Sequence, residues 1–120
     1  MKIPFNLHVL RLFAPVLLVL GVMGLVTPSS ATSLTSNAAP YAVFHLIFGA
    51  IGLACLATRN LGVMRFFNLG FGFIELYQAV ASAADLWPRS LFLWTRVDDG
   101  LHVVVGVALV VVALGSDRQG

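Results

Sequence analysis

The chain has 120 residues, of which 59% are hydrophobic and 10% are charged, and its formal net charge is +2. Soluble domains carry about 25% charged residues, so this composition excludes an ordinary soluble domain and predicts a single integral membrane domain over residues 1–120. The 7 Lys and Arg residues are scattered along the chain, which excludes the basic patch that a nucleic-acid partner needs.

Four apolar stretches predict membrane-spanning helices, at about residues 7–27, 41–58, 63–84 and 99–115. A helix of roughly 20 residues crosses the hydrocarbon core of a bilayer, and only a helix satisfies its own backbone hydrogen bonds there. The sequence therefore predicts an all-α bundle of four transmembrane helices. We expect the first stretch to be retained, although a basic start followed by the small residues PSSATS (28–33) is also typical of a cleaved signal peptide.

The connecting segments add detail to this bundle. The short connection 59–62 predicts a tight antiparallel hairpin between the second and third spans. In the segment of about 85–97, Trp87, Leu91 and Trp94 recur at helical spacing, which predicts a short interfacial amphipathic helix with its tryptophans at headgroup depth. The basic residues favour an N-in, C-in orientation, because more of them then lie on the inner side. On that side are Lys2, Arg11, Arg59, Arg65 and Arg118, and on the outer side are Arg89 and Arg96.

A His followed four residues later by a Gly occurs near the start of both the second and the fourth span, as His45 with Gly49 and His102 with Gly106. Residues four apart share a helix face, so each His lies beside small residues that allow a close helix crossing. Because these two spans run in the same direction, the motif indicates a parallel repeat of two helix pairs. Four glycines are predicted to pack against neighbouring helices: Gly49, Gly52, Gly72 and Gly106.

The third span carries a polar stripe that consists of Asn68, Glu75, Gln78 and Ser82. Glu75 lies roughly 15 Å from either end of this span, and a charge at that depth is costly, so we expect Glu75 to be neutral, paired or beside water. A polar track is predicted to lead from the outer histidines through Ser82 and Gln78 to Glu75. The alternative is that these side chains only form hydrogen bonds between helices.

The acidic pair Asp98 and Asp99 marks the entry to the fourth span. Asp99 lies three residues before His102, which is close enough for a local pair.

No catalytic motif is visible: the sequence has no Ser-His-Asp grouping, no cysteine-rich metal motif and no phosphate-binding glycine loop before a helix. We therefore predict a non-enzymatic accessory, assembly or structural subunit of a membrane. Its partners would be the lipid bilayer and a larger complex or a second copy, met through small residues on the first span: Ala14, Gly21 and Gly24.

Two alternative functions stay open. In one, His45 and His102 are axial ligands of a haem or a chlorophyll-type pigment, because they lie at similar depth on parallel helices. In the other, Glu75 belongs to a small-solute or proton pathway, because a midplane carboxylate on a polar stripe is typical of such sites.

Three segments, VFHLIFGAIGLA, FFNLGFGFIEL and DDGLHVVVGVALVVVALG, resemble domain-of-unknown-function family 4383, a bacterial family of small four-span membrane proteins. The resemblance covers about residues 41–115, and Asp98-Asp99 stands where that family has an Asp-Asn pair. It implies four helices and a location in the bacterial inner membrane or its internal extensions, but no activity, and Glu75 is not part of its pattern. The matching residues are His45, Gly49, Gly52, Asn68, Gly70, Asp98, Leu101, His102 and Gly106.

Overall fold

The computed structural model describes residues 4–27, 36 and 38–115, and throughout this part the regular structure is helical, without strands. The four predicted stretches correspond to long helices, and a very short helix lies before the last of them. In chain order the helices are α1 (Phe5–Val26), α2 (Ala39–Ala57), α3 (Leu61–Ala84), α4 (Arg89–Phe92) and α5 (Arg96–Gly115).

The bundle consists of two antiparallel helix pairs, α1 with α2 and α3 with α5. In the first pair, a Cβ atom added to Gly49 would lie 2.8 Å from Leu18, and one added to Gly52 would lie 3.1 Å from Ala14. Later positions in α2 therefore contact earlier positions in α1, as they must in an antiparallel pair. The absence of side chains at these glycines is what allows the two helices to lie so close together.

The second pair is built in the same way. A Cβ atom on Gly72 would lie 2.9 Å from Val110, and one on Gly106 would lie 2.8 Å from Leu76. At the end of this pair, the Arg65 side chain donates a hydrogen bond to the carbonyl oxygen of Ala113, near the C-terminus of α5. Basic side chains commonly satisfy the last carbonyl groups of a helix in this way.

An apolar core joins the two pairs. Its buried side chains come from α1, α3 and α5, and they are Leu10, Ala14, Leu17, Met64, Phe67, Phe71 and Leu109. Aromatic rings of α2 add to it, since the ring centroids of Phe48 and Phe71 are 5.2 Å apart. Nearby, Asn68 of α3 donates hydrogen bonds to the Oδ1 and the backbone oxygen of Asn6 in α1, at 3.0 and 3.1 Å.

Three helices of the described part are long and apolar enough to cross a membrane, namely α1, α2 and α5. By length and hydropathy, three helices of the described part qualify as membrane spans, rather than the four that the sequence predicts. Although α3 is the longest helix, with 24 residues, it is the most polar of the four long helices because it carries Asn68, Glu75 and Gln78. Those side chains are buried, whereas outward-facing Phe66 and Val80 are 78% and 57% exposed.

The segment before α5 differs from the predicted amphipathic helix. It contains only the four-residue helix α4, because Asp85 and Leu93 have left-handed backbones, with φ angles of 56° and 52°, that end α3 and α4. Trp87 is 72% exposed. Trp94 instead points into the bundle, so the two tryptophans do not share an outer face.

Helix α5 begins at Arg96, before the predicted start at 99, because of a reciprocal cap. The backbone N–H of Thr95 donates to Oδ2 of Asp98 at 2.9 Å, and the N–H of Asp98 donates to Oγ1 of Thr95 at 3.1 Å. Such a capping box satisfies N–H groups at the start of a helix that otherwise lack partners.

The basic residues that the structure describes fall at opposite ends of the bundle. Arg11, Arg59 and Arg65 lie toward the end formed by the start of α1 and the turn between α2 and α3, and Arg89 and Arg96 lie toward the other end. Lys2, Arg118 and the PSSATS segment lie outside the described residues.

Candidate functional site

A cavity of about 490 Å³ lies between the two helix pairs. Most of its wall is apolar, and residues of α1 and α5 form much of it: Phe13, Val16, Leu17, Leu20, Met23, Leu101 and Val105. Leu20, Met23 and Leu101 are 40%, 54% and 47% exposed, so the wall continues to the outer surface of the bundle. Because α1 and α5 make little contact with each other and these lining residues are partly exposed, we expect the cavity to be reached from the side, between these two helices.

Polar side chains gather at one end of this cavity: Tyr41, His45, Glu75, Asp98 and His102. All five are less than one-tenth exposed. Helices α2, α3 and α5 each contribute to this group, which we call the polar end. Buried polar groups are costly unless they are hydrogen-bonded, so the partners of each one decide what the polar end can do.

Glu75 has one oxygen atom with a hydrogen bond and one without. Its Oε1 accepts a hydrogen bond from Nε2 of Gln78 at 3.1 Å. Its Oε2 lies 3.9 Å from Nε2 of His102, which is beyond hydrogen-bonding distance. The side chain is only 6% exposed. A carboxylate oxygen is therefore available to a donor inside the cavity.

Tyr41 connects the two histidines of the repeated motif. Its hydroxyl group and Nε2 of His102 form a hydrogen bond of 2.7 Å between α2 and α5. Its ring packs against the ring of His45, with centroids 4.2 Å apart. Nδ1 of His102 is buried without a hydrogen-bond partner. Among the described contacts His45 has ring packing but no hydrogen bond, and it is 8% exposed.

The predicted polar track has a different order in the structure. Glu75 faces His102 directly, rather than lying two turns deeper, because α5 begins at Arg96 and His102 is consequently further into its helix. From Glu75 the contacts continue through Gln78 to Trp94, whose Nε1 donates to Oε1 of Gln78 at 3.1 Å. Ser82 is buried but takes no part in the contacts described for this group.

The polar stripe of α3 is thus divided. Asn68 bonds to Asn6 of α1 and serves as a link between helices. Glu75 and Gln78 belong to the polar end of the cavity. The four glycines of the predicted packing positions lie against neighbouring helices rather than in the polar end.

The two acidic residues at the start of α5 have separate roles. Oδ2 of Asp98 accepts hydrogen bonds from the backbone N–H of Ser36 at 2.7 Å and from Thr95, so Asp98 holds the helix start and a distant part of the chain together. Oδ1 of Asp99 is buried without a hydrogen-bond partner. The local pair of Asp99 with His102 is absent among the described contacts, where His102 meets Tyr41 and Glu75 instead.

Sequence reasoning missed Tyr41 and Trp94. Tyr41 lies four residues before His45, so helical periodicity places it on the same face, and this signal was sufficient to find it. Trp94 had no such signal, because a tryptophan beside a span is ordinarily an interfacial residue.

The described residues contain no group of three or more His, Cys, Asp or Glu side chains that could hold a metal ion. For a haem or a pigment, two imidazoles would have to face opposite sides of one flat ring. Tyr41 touches both imidazole rings and bonds Nε2 of His102, so a macrocycle between them would have to displace it. Ligation by His45 and His102 stays a prediction.

Neither the protein-family models nor the curated proteins nor the solved structures with which the chain was compared contain a match. The resemblance to family 4383 consequently stays a prediction as well, and the chemistry of the polar end has to be interpreted from its own geometry.

Proposed function

We propose that this chain is a non-enzymatic, multi-pass membrane protein that binds a small amphiphilic solute in the cavity, with the polar part of the solute beside Glu75. The observation that supports this proposal most strongly is the oxygen of Glu75 that has no hydrogen bond, at the polar end of a mostly apolar cavity. A carboxyl group at membrane depth costs several kcal/mol or must be neutral, and such groups ordinarily mark substrate or ion sites.

The cavity has the size and composition of a ligand site. Pockets for small molecules have volumes of about 300–1,000 Å³, mostly apolar walls and a few polar groups that orient the ligand. The cavity of about 490 Å³ lies in this range, and its polar groups are confined to one end. A solute with a polar head and an apolar body would enter sideways from the lipid, between α1 and α5.

The proposal requires all four long helices to lie in the bilayer, with α3 among them. Its length of 24 residues corresponds to roughly 36 Å, enough to cross a hydrocarbon core. Its exposed side chains are mostly apolar, such as Phe66, Phe73 and Val80, whereas its polar side chains Asn68 and Glu75 face α1 and α5, which is the arrangement expected of a helix with a polar inner face. The positions of the basic residues support an N-in, C-in orientation, and the resemblance to family 4383 supports a bacterial membrane.

An accessory or assembly role has less support. The small residues of α1 that were expected to form a free contact face lie against α2. Ala14 is fully buried, and a Cβ atom on Gly21 would lie 2.5 Å from Leu46. A larger complex or a second copy would need another surface, and nothing on the described residues favours one.

Lateral access to Glu75 can be tested with dicyclohexylcarbodiimide, a lipid-soluble reagent that modifies protonated carboxyl groups in membranes. We expect mass spectrometry of treated membranes to find the adduct on Glu75, and Glu75→Gln to abolish it. Leu20→Trp should strongly reduce labelling because Leu20 lines the cavity. Val19→Trp is the matched control, since Val19 is 55% exposed on the same helix but does not line the cavity.

Absence of the adduct on Glu75 from pH 5 to pH 8 would refute the proposal, because a packing carboxyl group needs no access from the lipid. Equal labelling of the Leu20→Trp and Val19→Trp proteins would refute the lateral route.

A further inference from the structure

We infer that the cavity selects lipophilic organic cations, such as a quaternary phosphonium or ammonium with apolar substituents, over neutral and anionic amphiphiles of the same size. This inference rests on the proposed function and names the class of its ligand. It follows from the charges around Glu75, from the rings in the wall and from the position of the free carboxylate oxygen.

Among the residues that the structure describes, the charged and titratable groups that line the cavity include no Lys or Arg. Helix α1 contributes apolar residues to the lining and is followed there by Thr27. Helix α2 contributes Tyr41 and His45, and α5 contributes Asp98 and His102. Both groups in this set that can carry a full negative charge, Glu75 and Asp98, lie at the polar end. A bound anion would therefore meet carboxyl groups whose charge it cannot balance, whereas a bound cation would pair with the carboxylate that forms when Glu75 loses its proton.

The two carboxyl groups differ in what they can offer. Oδ2 of Asp98 already accepts hydrogen bonds from Ser36 and Thr95, which fixes it as a helix cap. Oε2 of Glu75 makes no hydrogen bond, and its nearest described partner, Nε2 of His102, is shared with Tyr41. Glu75 is therefore the counter-ion for a cation that enters from the lipid.

A lipophilic cation suits this position better than a hydrated metal ion. Neither a buried carboxylate nor a buried cation is stable alone in an apolar medium, but each neutralises the other. The proton that a neutral Glu75 carries before binding leaves to water when the cation takes its place, so charge is conserved within the cavity. The rings of Phe13, Tyr41 and Phe71 line the same space, and aromatic rings attract organic cations.

The test compares two ions of nearly equal size and shape but opposite charge, tetraphenylphosphonium and tetraphenylborate. Saturable binding of each radiolabelled ion to the detergent-solubilised protein is measured by equilibrium dialysis, with Leu20→Trp protein as the blank for partition into micelles. We expect tetraphenylphosphonium to bind at least about tenfold more tightly than tetraphenylborate, because a like-charge contact in a buried site costs several kcal/mol.

The variants separate charge from shape. Glu75→Gln should weaken phosphonium binding by about tenfold or more and leave borate binding equal or stronger, and retained borate binding shows that this variant is folded. Glu75→Asp, which keeps the charge, should retain the preference for the cation. Asp85→Asn removes one exposed carboxylate from outside the cavity and should leave both affinities unchanged.

Equal binding of both ions, tighter binding of the borate, phosphonium binding that Glu75→Gln does not change, or absence of saturable binding of either ion would each overturn the inference. If one of these outcomes is found but the carbodiimide still labels Glu75 of the unmodified protein, the solute site stands and only its selectivity for cations is refuted. If the labelling is absent too, the proposed function fails with it.

Discussion

The two helix pairs use the same packing device but bury different chemistry. Between α1 and α2 the contacts at Gly21, Gly49 and Gly52 are with leucine and alanine, so this interface is apolar. Between α3 and α5 the glycine contacts alternate with polar ones, from Arg65 at one end to Glu75 near His102 further along. The first pair is a scaffold, and the second brings polar groups into the interior.

The two histidines of the repeated His-Gly motif have different surroundings because of this difference between the helix pairs. His45 and His102 stand at the same offset from a packing glycine, yet His45 has only ring contacts described whereas His102 lies between Tyr41 and Glu75. The glycine determines where the helices cross. The residues of the facing helix determine what the neighbouring histidine can do, and of the two facing helices, α1 and α3, it is α3 that supplies a carboxyl group, Glu75.

The largest expected effects come from filling the close crossings. We expect Gly49→Ala and Gly106→Ala each to lower the free energy of unfolding by about 1–3 kcal/mol, because the added Cβ atoms would lie 2.8 Å from leucine side chains and about 3.0 Å from backbone atoms of the facing helix. Unfolding of the purified protein in increasing mole fractions of SDS measures this.

Gly70→Ala is the control for both, since nothing lies within 4 Å of a Cβ atom at Gly70. It should cost nothing. A loss at Gly70 as large as that at Gly106 would mean that helix flexibility, rather than close packing, explains the glycines.

The next effect distinguishes the two acidic residues at the start of α5. Asp98→Ala removes the acceptor of the Thr95 and Ser36 N–H groups and should cost about 1 kcal/mol, the ordinary value of a helix cap. Asp99→Ala should change stability by less than about 0.5 kcal/mol, since the Asp99 side chain has no described hydrogen bond. The same unfolding assay measures both, and equal losses would contradict the assignment of Asp98 as the cap.

A smaller effect is expected from the hydrogen bond between Tyr41 and His102, which joins the two helix pairs. Tyr41→Phe removes the hydroxyl group that bonds His102 and should cost about 0.6 kcal/mol, the average for hydrogen bonds between membrane helices. Tyr77→Phe is the matched control, because the Tyr77 hydroxyl donates to the backbone oxygen of Trp87 in an exposed position. If Tyr77→Phe costs more than Tyr41→Phe, the buried link contributes less than the geometry indicates.

The smallest effect is expected at the surface ion pair of Arg89 with Asp85, whose closest atoms are 3.3 Å apart. Both side chains are largely exposed, so Arg89→Ala should change the free energy of unfolding by no more than about 0.5 kcal/mol. A larger loss would place α4 in the cooperative core of the bundle, and hydrogen exchange of the α4 backbone would show whether it unfolds separately.

Much of the fold could be predicted from runs of apolar residues, because a run of about 20 permits only a helix in a bilayer. The segment before α5 could not be predicted in the same way. Its tryptophans favoured an interfacial helix, whereas the chain follows the shorter signal Thr95-Arg96-Val97-Asp98, a capping box that starts α5 earlier. That cap moves His102 further into the helix and so brings it level with Glu75.

The composition by itself predicted helices that are long and apolar enough to cross a membrane, and the residue types of α3 predicted that Glu75 and Gln78 face the interior, because polar groups in hydrocarbon lack partners. Which partners they meet was decided only by the tertiary structure. The Glu75–His102 and Tyr41–His102 contacts join residues 27 and 61 positions apart, and they depend on how far α3 slides along α5 and on how closely the two pairs approach. The contacts at Gly72 and Gly106 set that register, and the spacing of residues along one helix carries no information about it.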